Sequence, residues 1–471
     1  MAFRFGNTAP NFKFPKPFYV HATSDSYFPA TGEDLIDGLL SGAYWLPHSD
    51  RQITWGLANT PAIIWSDSAQ KIIQSAFDAW EAVIDINFIY LGVNSTYRGD
   101  IELWGSDDSN FFKSKPPGVV AEAVFPNKSY ADYFKAVNKD QKYARHAEGD
   151  IWLNLDSPVF QYGNFGSKAF QVVLHEIGHA IGLKHPHDGG LAGYTTYEAA
   201  GLAHRDSGFL TLMSYDPTST SWEYGSAATP LPYDIIAAQE MYGANTTTNS
   251  GNSIHRLEDD GRLRTIYDVS GYDTIDGSSL QQFAFIDLSK SAYIYTGEFT
   301  TVYISVYTTI ESATGSNYDD FIFGSSGNNY LRGLDGFDRI MGYGGNDIID
   351  GGDGNDHIVA QGGSDTIDGG DGLDTVSYLL GKENYTLVNV GEYESSIVET
   401  SYSTTDIIYH VERLSFSDVN VALDITEKPG EAYRLYKAAF DRAPDLVGLG
   451  FWIAALDNGE TALNMASEFN K

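Results

Sequence analysis

The chain has 471 residues, with 63 acidic side chains against 29 basic ones and a formal charge of −34. That balance argues against binding to nucleic acid or to anionic membranes, which both need clustered lysine and arginine. A hydrophobic fraction of 42% with 14% aromatics excludes a disordered acidic polymer, and the absence of cysteine excludes disulfides, thiolate metal sites and cysteine nucleophiles.

Residues 1–20, rich in proline and aromatics without periodicity, read as an irregular arm. They lack the apolar core of a secretory signal peptide, and no apolar run is long enough for a transmembrane helix. An exported form would use a signal other than a cleaved N-terminal one. From 21 to 243 the pattern is that of a mixed α/β domain. Apolar spacing predicts a helix over 69–83, AQKIIQSAFDAWEAV, and a second over 167–183, SKAFQVVLHEIGHAIGL. Alternation predicts strands around Ile101–Trp104 and Asp150–Asn154. A polar linker, ANTTTNSGNS, opens at 244 and marks the boundary of a second domain over 244–429. From 430 to 471 the spacing becomes helical again, which predicts a short module that stops abruptly at Lys471.

Two motifs carry chemistry. In the second helix, His175 and His179 are one turn apart on one face, so both imidazoles reach one ion. Glu176 beside them can face a metal-associated water. Gly182 permits a left-handed turn that ends the helix, and His185 can then approach from the other side. Three neutral imidazoles leave an open coordination position, as catalytic zinc requires. Glu176 then acts as general base toward a polarised carbonyl. His187 and Asp188, just beyond, read as loop residues, because the ion has its ligands without them.

The second motif is a nine-residue repeat over 315–377, in seven units beginning at Gly315, Gly324, Gly333, Gly342, Gly351, Ala360 and Gly369. A fixed short period means a solenoid. The segment holds twelve aspartates and no glutamate, so its acidity is a geometric demand rather than a generic solvated face. The sixth position reads Asp320, Asn329, Asp338, Asp347, Asp356, Asp365 and Asp374, and the eighth is aliphatic from Ile322 to Val376. Glycines allow tight turns that aim carbonyls inward, and with the carboxylates they make hard-oxygen sites suited to Ca²⁺. Two units make one coil, so units eighteen residues apart stack. That pairs Asp338 with Asp356, Asp347 with Asp365, and Asp356 with Asp374. Asp320 is expected to be a weaker ligand, and a site at Asn329 weak or empty.

HEIGHAIGLKHP (175–186) resembles the long metzincin zinc motif, and Thr211-Leu212-Met213-Ser214-Tyr215 resembles the methionine turn of that clan. With Pro186 and the repeats, both are similar to the serralysins, secreted bacterial zinc endopeptidases. The resemblance implies an α+β metzincin-type catalytic domain followed by a parallel β-roll, with Zn²⁺ and several Ca²⁺ as cofactors. It implies His175, His179 and His185 as zinc ligands, Glu176 as general base, and Met213 as an apolar floor. Tyr215 would be a switchable ligand that swings to stabilise the oxyanion. The strand GDIWLN (149–154) would be the edge that takes an extended substrate antiparallel. A protein or peptide substrate, a monomer, a one-step (type I) secretion apparatus and an extracellular or cell-surface location are further implications. The span 430–471 departs from the serralysin pattern, since it lacks the short aliphatic tail usual there and looks instead like a small helical module. The competing reading from the residues is a calcium-dependent adhesin or S-layer-associated protein with a vestigial protease domain.

Overall fold

A computed structural model describes residues 33–46, 50–58, 65–94, 99–105, 112, 115, 119–127, 148–161, 166–189, 195–215, 226–290, 292–296, 300–359, 361–388, 394–400, 403–424, 428–440 and 446–469. The arm over 1–20 lies outside the described residues. Two compact units emerge, Met1–Thr248 with Arg262–Tyr267, and Asn249–Gly261 with Asp268–Lys471.

The first unit is built on five strands, β1 (Gln52–Ala58), β2 (Asn87–Asn94), β3 (Ile101–Gly105), β4 (Ala121–Ala123) and β5 (Ile151–Leu153). Their order is β2-β1-β3-β5-β4, parallel throughout except for β4, which runs antiparallel to β5. Helix α1 (Asp67–Glu81) starts where Ser66 caps the Ala69 N–H, and it buries Ile72, Ile73, Ala76, Phe77 and Trp80. Phe77 stacks on Trp55 of β1 with centroids 4.3 Å apart. Trp80 donates from Nε1 to the Leu174 carbonyl at 3.1 Å, which ties α1 to helix α2 (Lys168–Ile181). Burying one such ring stabilises by about 2–3 kcal/mol. From Ala169 onward α2 is buried on nearly every face, so it forms the centre of the unit rather than a surface layer. Helix α3 (Pro232–Tyr242) closes the unit, with Tyr242 donating to the Ile181 carbonyl at 2.6 Å.

Strand β5 is not an edge. It pairs with β3 on one side and with β4 on the other, so the expectation that GDIWLN offers a free edge is corrected. The outer strand is β4, Ala121-Glu122-Ala123. Three residues with two alanines are too short to show alternation, so the sequence pattern passes over them.

The second unit is a parallel roll. Strands Ser312–Thr314, Tyr330–Asp335, Ile348–Asp353 and Thr366–Asp371 stack in one sheet, and Phe321–Ser325, Arg339–Tyr343, His357–Val359 and Thr375–Ser377 in the other. The register is eighteen residues, as Leu331↔Ile349 and Ile340↔Ile358 show. The eighth-position side chains fill the interior, each at most 1% exposed. Beyond the repeats, Thr405–Tyr409 and Arg413–Ser415 add one strand to each sheet. The chain then forms helices α4 (Lys428–Phe440), α5 (Leu446–Asp457) and α6 (Ala462–Phe469) around Ala432, Leu456 and Met465. Arg413 holds this module to the last coil by donating from Nε and Nη2 to the two oxygens of Asp457, at 2.9 and 2.7 Å.

Candidate metal centre

Helix α2 places His175 and His179 one turn apart, and Gly182 ends it in the left-handed conformation at φ 118°. A Cβ there would lie 2.2 Å from the Ala43 carbonyl oxygen, so only glycine lets the chain turn. The turn returns His185 to the helix. Its Nε2 lies 3.1 Å from Nε2 of His179 and 3.3 Å from Nε2 of His175.

Each ring is held from behind. Nδ1 of His175 donates to the Leu212 carbonyl and Nδ1 of His179 to the Leu183 carbonyl, both at 2.7 Å. Nδ1 of His185 donates to Asp188 Oδ2 at 2.6 Å. A carbonyl or carboxylate only accepts, so each ring carries a proton on Nδ1 and turns its Nε2 toward the other two. Burial pushes the His175 pKa down to about 3, and that of His179 well below its ordinary value, so neither ring takes a second proton. Three ring nitrogens converging on one point fit a cation. Tetrahedral zinc with bonds of about 2.0–2.1 Å spaces its nitrogens by about 3.3 Å.

Glu176 is 5% exposed, and its Oε2 has no hydrogen-bond partner. Burial, with Glu122 adding to it, raises its pKa to about 8, and a neighbouring cation would bring it back down. Tyr215 places its hydroxyl 3.2 Å from His175 Nε2, on a ring that is 58% exposed and therefore able to swing without opening the core. Desolvation of the phenol, then Glu176, Asp188 and Glu122, push its pKa up, so it stays an O–H donor. Met213 is fully buried, with Sδ 3.0 Å from where a Cβ on Gly178 would lie. The cleft over the triad is lined by Glu122, Phe125, Glu176, His179, His185 and Tyr215.

Three residues that hold this site have no role in the sequence reading. Asp188 is the acceptor for His185, and its signal was only its place in the same turn. Asp234 of α3, fully buried, accepts from the Thr211 hydroxyl at 2.5 Å and from the Leu212 and Leu231 N–H groups at 2.7 and 3.1 Å. It therefore fixes the segment whose carbonyl orients His175. Lys184, 1% exposed, donates to the carbonyls of Gly38 at 2.6 Å and Thr195 at 3.1 Å, and so ties the third ligand's loop to residues near the start of the described chain.

In the roll the sixth-position carboxylates form two columns. Oδ1 of each accepts the N–H of the residue eighteen positions earlier, at 2.7–2.9 Å, from Asp320→Asp338 through Asp338→Asp356 to Asp356→Asp374, and from Asn329→Asp347 to Asp347→Asp365. The Oδ2 atoms of Asp338, Asp347, Asp356 and Asp374 are buried without a partner. A Cβ on Gly333 would lie 2.1 Å from Asp338 Oδ2 and 2.4 Å from the Gly351 carbonyl oxygen, so the glycine opens a pocket where carboxylate and carbonyl oxygens meet. Orphaned oxygens around such a cradle fit calcium. Asp320 differs, since Ala284 N–H and Ser316 occupy both its oxygens. Asn329 turns its amide on Ser325 and the Glu311 carbonyl. The columns also run past the repeats. Asp406 accepts from Asp365 N–H at 3.0 Å and Glu412 from Asp374 N–H at 2.8 Å, across intervals of 41 and 38 residues that hide the period.

Residues 44–207 match the matrixin family of peptidases, and residues 309–340 and 341–376 match the RTX calcium-binding nonapeptide repeat. The first unit thus contains a span similar to matrixin peptidases, a family that implies Zn²⁺, and the second contains RTX repeats, which form a β-roll and imply Ca²⁺; the imidazole triad is a group that could hold a metal ion. Among characterised proteins it is similar to serralysin of Proteus mirabilis, 29% identical over 55% of this chain and 54% of the relative. It is also similar to serralysin of Photorhabdus sp. strain Az29, 32% identical over 62% and 59%, and to metalloprotease AprA of Pseudomonas entomophila, 32% identical over 39% and 43%. The chain spans between half and three fifths of the length of these two serralysins. Among the described residues no helix is long and apolar enough to cross a membrane.

Proposed function

We propose that the chain is a secreted zinc-dependent endopeptidase whose C-terminal roll folds on binding calcium. The observation that carries the reading is the convergence of three imidazole Nε2 atoms beside the unpartnered carboxylate oxygen of Glu176. His175, His179 and His185 would hold the zinc. The ion, when bound, supplies Lewis acidity at the scissile carbonyl and an acidified water. Glu176, adjacent in the cleft, takes the proton of the attacking water and returns it to the leaving amine. Tyr215 donates its O–H to the carbonyl oxygen as negative charge develops there. Among the described residues strand β4 pairs on one side only and lies beside the cleft, so an extended peptide can add to the sheet there through backbone hydrogen bonds, with little demand on sequence.

In the second unit, Asp338, Asp347, Asp356, Asp365 and Asp374 would hold calcium with glycine carbonyls, and Asp320 would contribute weakly. We assign the peptidase to the span 21–243, the roll to 244–429 and a helical module to 430–471. Low cytosolic calcium would leave the acidic repeats unfolded and able to thread a one-step export apparatus, and external calcium would fold them.

The test is hydrolysis of an unstructured protein such as casein in calcium buffer. Removal of zinc with a selective chelator should abolish cleavage, and stoichiometric zinc should restore it. Cleavage that survives complete zinc removal contradicts the zinc dependence, and cleavage that never occurs contradicts the enzyme reading and favours a calcium-dependent surface protein.

A further inference from the structure

Directly beyond the imidazole triad the chain sets out a second pair of metal-type donors. His187 Nε2 lies 3.8 Å from Asp188 Oδ1. That is too long for a hydrogen bond. An ion about 2.0–2.2 Å from a nitrogen and from a carboxylate oxygen separates them by about 3.3–3.6 Å at the tetrahedral angle, so the pair needs to close by a few tenths of an ångström to hold one. On the opposite side of the ring, His187 Nδ1 lies 3.9 Å from Asp206 Oδ2. At that distance Asp206 adds a second negative charge beside the ring, which favours a cation there. Donor atoms of His185, His187 and Asp188 all lie within 4.8 Å of one another, and since His185 is engaged by the triad and by Asp188, His187 and Asp188 are the two left to bind a second ion. The side chains of His187 and Asp188 are about half exposed, at 47% and 48%, so an ion in solution reaches them.

The pair is mechanically joined to the triad. Asp188 uses its other oxygen, Oδ2, to hold Nδ1–H of His185 at 2.6 Å. The His187 ring lies parallel to that of His185, 5.1 Å away and 1° from coplanar orientation. An imidazole with a carboxylate prefers zinc, copper or nickel to calcium.

We propose that His187 and Asp188 form a second, weaker site for a divalent transition-metal ion, and that filling it inhibits the enzyme by drawing the Asp188 carboxylate away from His185. The inhibition rests on the peptidase reading above; the binding does not. Solvent water completes the coordination sphere, and repulsion from an ion at the triad keeps the affinity below that of the first site.

The experiment counts zinc bound per chain by equilibrium dialysis in saturating calcium, for the wild type and for His187→Phe, which keeps a ring stacked on His185 but has no nitrogen. The wild type should take up one more zinc than the variant, in a weaker step, and its peptide hydrolysis should fall about tenfold or more across that step. His187→Phe should keep the tight zinc and the basal rate and lose both the weak step and the inhibition. Equal zinc uptake by the two proteins overturns the site, whether or not either cleaves peptide. A weak step lost in the variant while inhibition persists overturns the coupling through Asp188. His187→Ala repeats the comparison with the ring removed, and the same two results decide it.

Discussion

Each imidazole of the triad is useful only because something behind it fixes its proton. Replacing Asp188 with alanine removes the acceptor for His185 and should weaken zinc binding by about 10–100-fold, measured by chelator competition, while α2 keeps its helicity. Lys184→Met should act similarly but from the other direction. It frees the carbonyls of Gly38 and Thr195 in a buried place, so a loss of about 1–3 kcal/mol in the stability of the first unit should accompany weaker zinc binding. A thermal melt with unchanged midpoint would contradict that role. At this scale the sequence was legible where chemistry is written as spacing. His175, Glu176, His179, Gly182 and His185 sit in one short run and meet in space, and Tyr215 was found only through its resemblance to a known turn. The supporting groups were not legible. Asp234 lies 59 residues from His175 and reaches it through a backbone carbonyl, which no side-chain pattern announces.

Among the elements, the roll sets carboxylates in columns before any ion is considered. Burial raises the pKa of Asp338 to about 8, of Asp365 and Asp374 to about 7, and of Asp347 and Asp356 to about 6. Folded values above the unfolded value of about 3.9 mean that the calcium-free roll binds protons on folding. Its stability is then fully present below about pH 4 and is lost as pH rises through 6 to 8. Calcium should reverse the trend, because protons compete with it for the same oxygens. Denaturation of chelated protein at pH 5 and pH 8, followed by circular dichroism, checks the sign, and greater stability at pH 8 without calcium would contradict it. Asp356→Ala touches both the coil above and the coil below, and should raise the calcium midpoint of folding more than Asp320→Ala, whose oxygens are already occupied by protein donors. The nine-residue period made the register of this unit readable. The edge strand β4 was unreadable, because Ala-Glu-Ala carries no alternation and its place is set by pairing with β5.

For the whole molecule, the formal net charge is −34. Twelve aspartates stand in the repeats, and a calcium-free chain carries their repulsion uncompensated. The account therefore separates the two metals. Calcium removal should unfold the roll, whereas zinc removal should leave secondary structure intact and stop catalysis. The most direct measurement of the central claim compares zinc-loaded wild type with zinc-loaded Glu176→Gln on an unstructured protein substrate. The account predicts one tightly bound zinc in each and a loss of about 10²–10⁴-fold in kcat/KM for the variant. A variant that cleaves at the wild-type rate, or a wild type that holds no zinc, would contradict it.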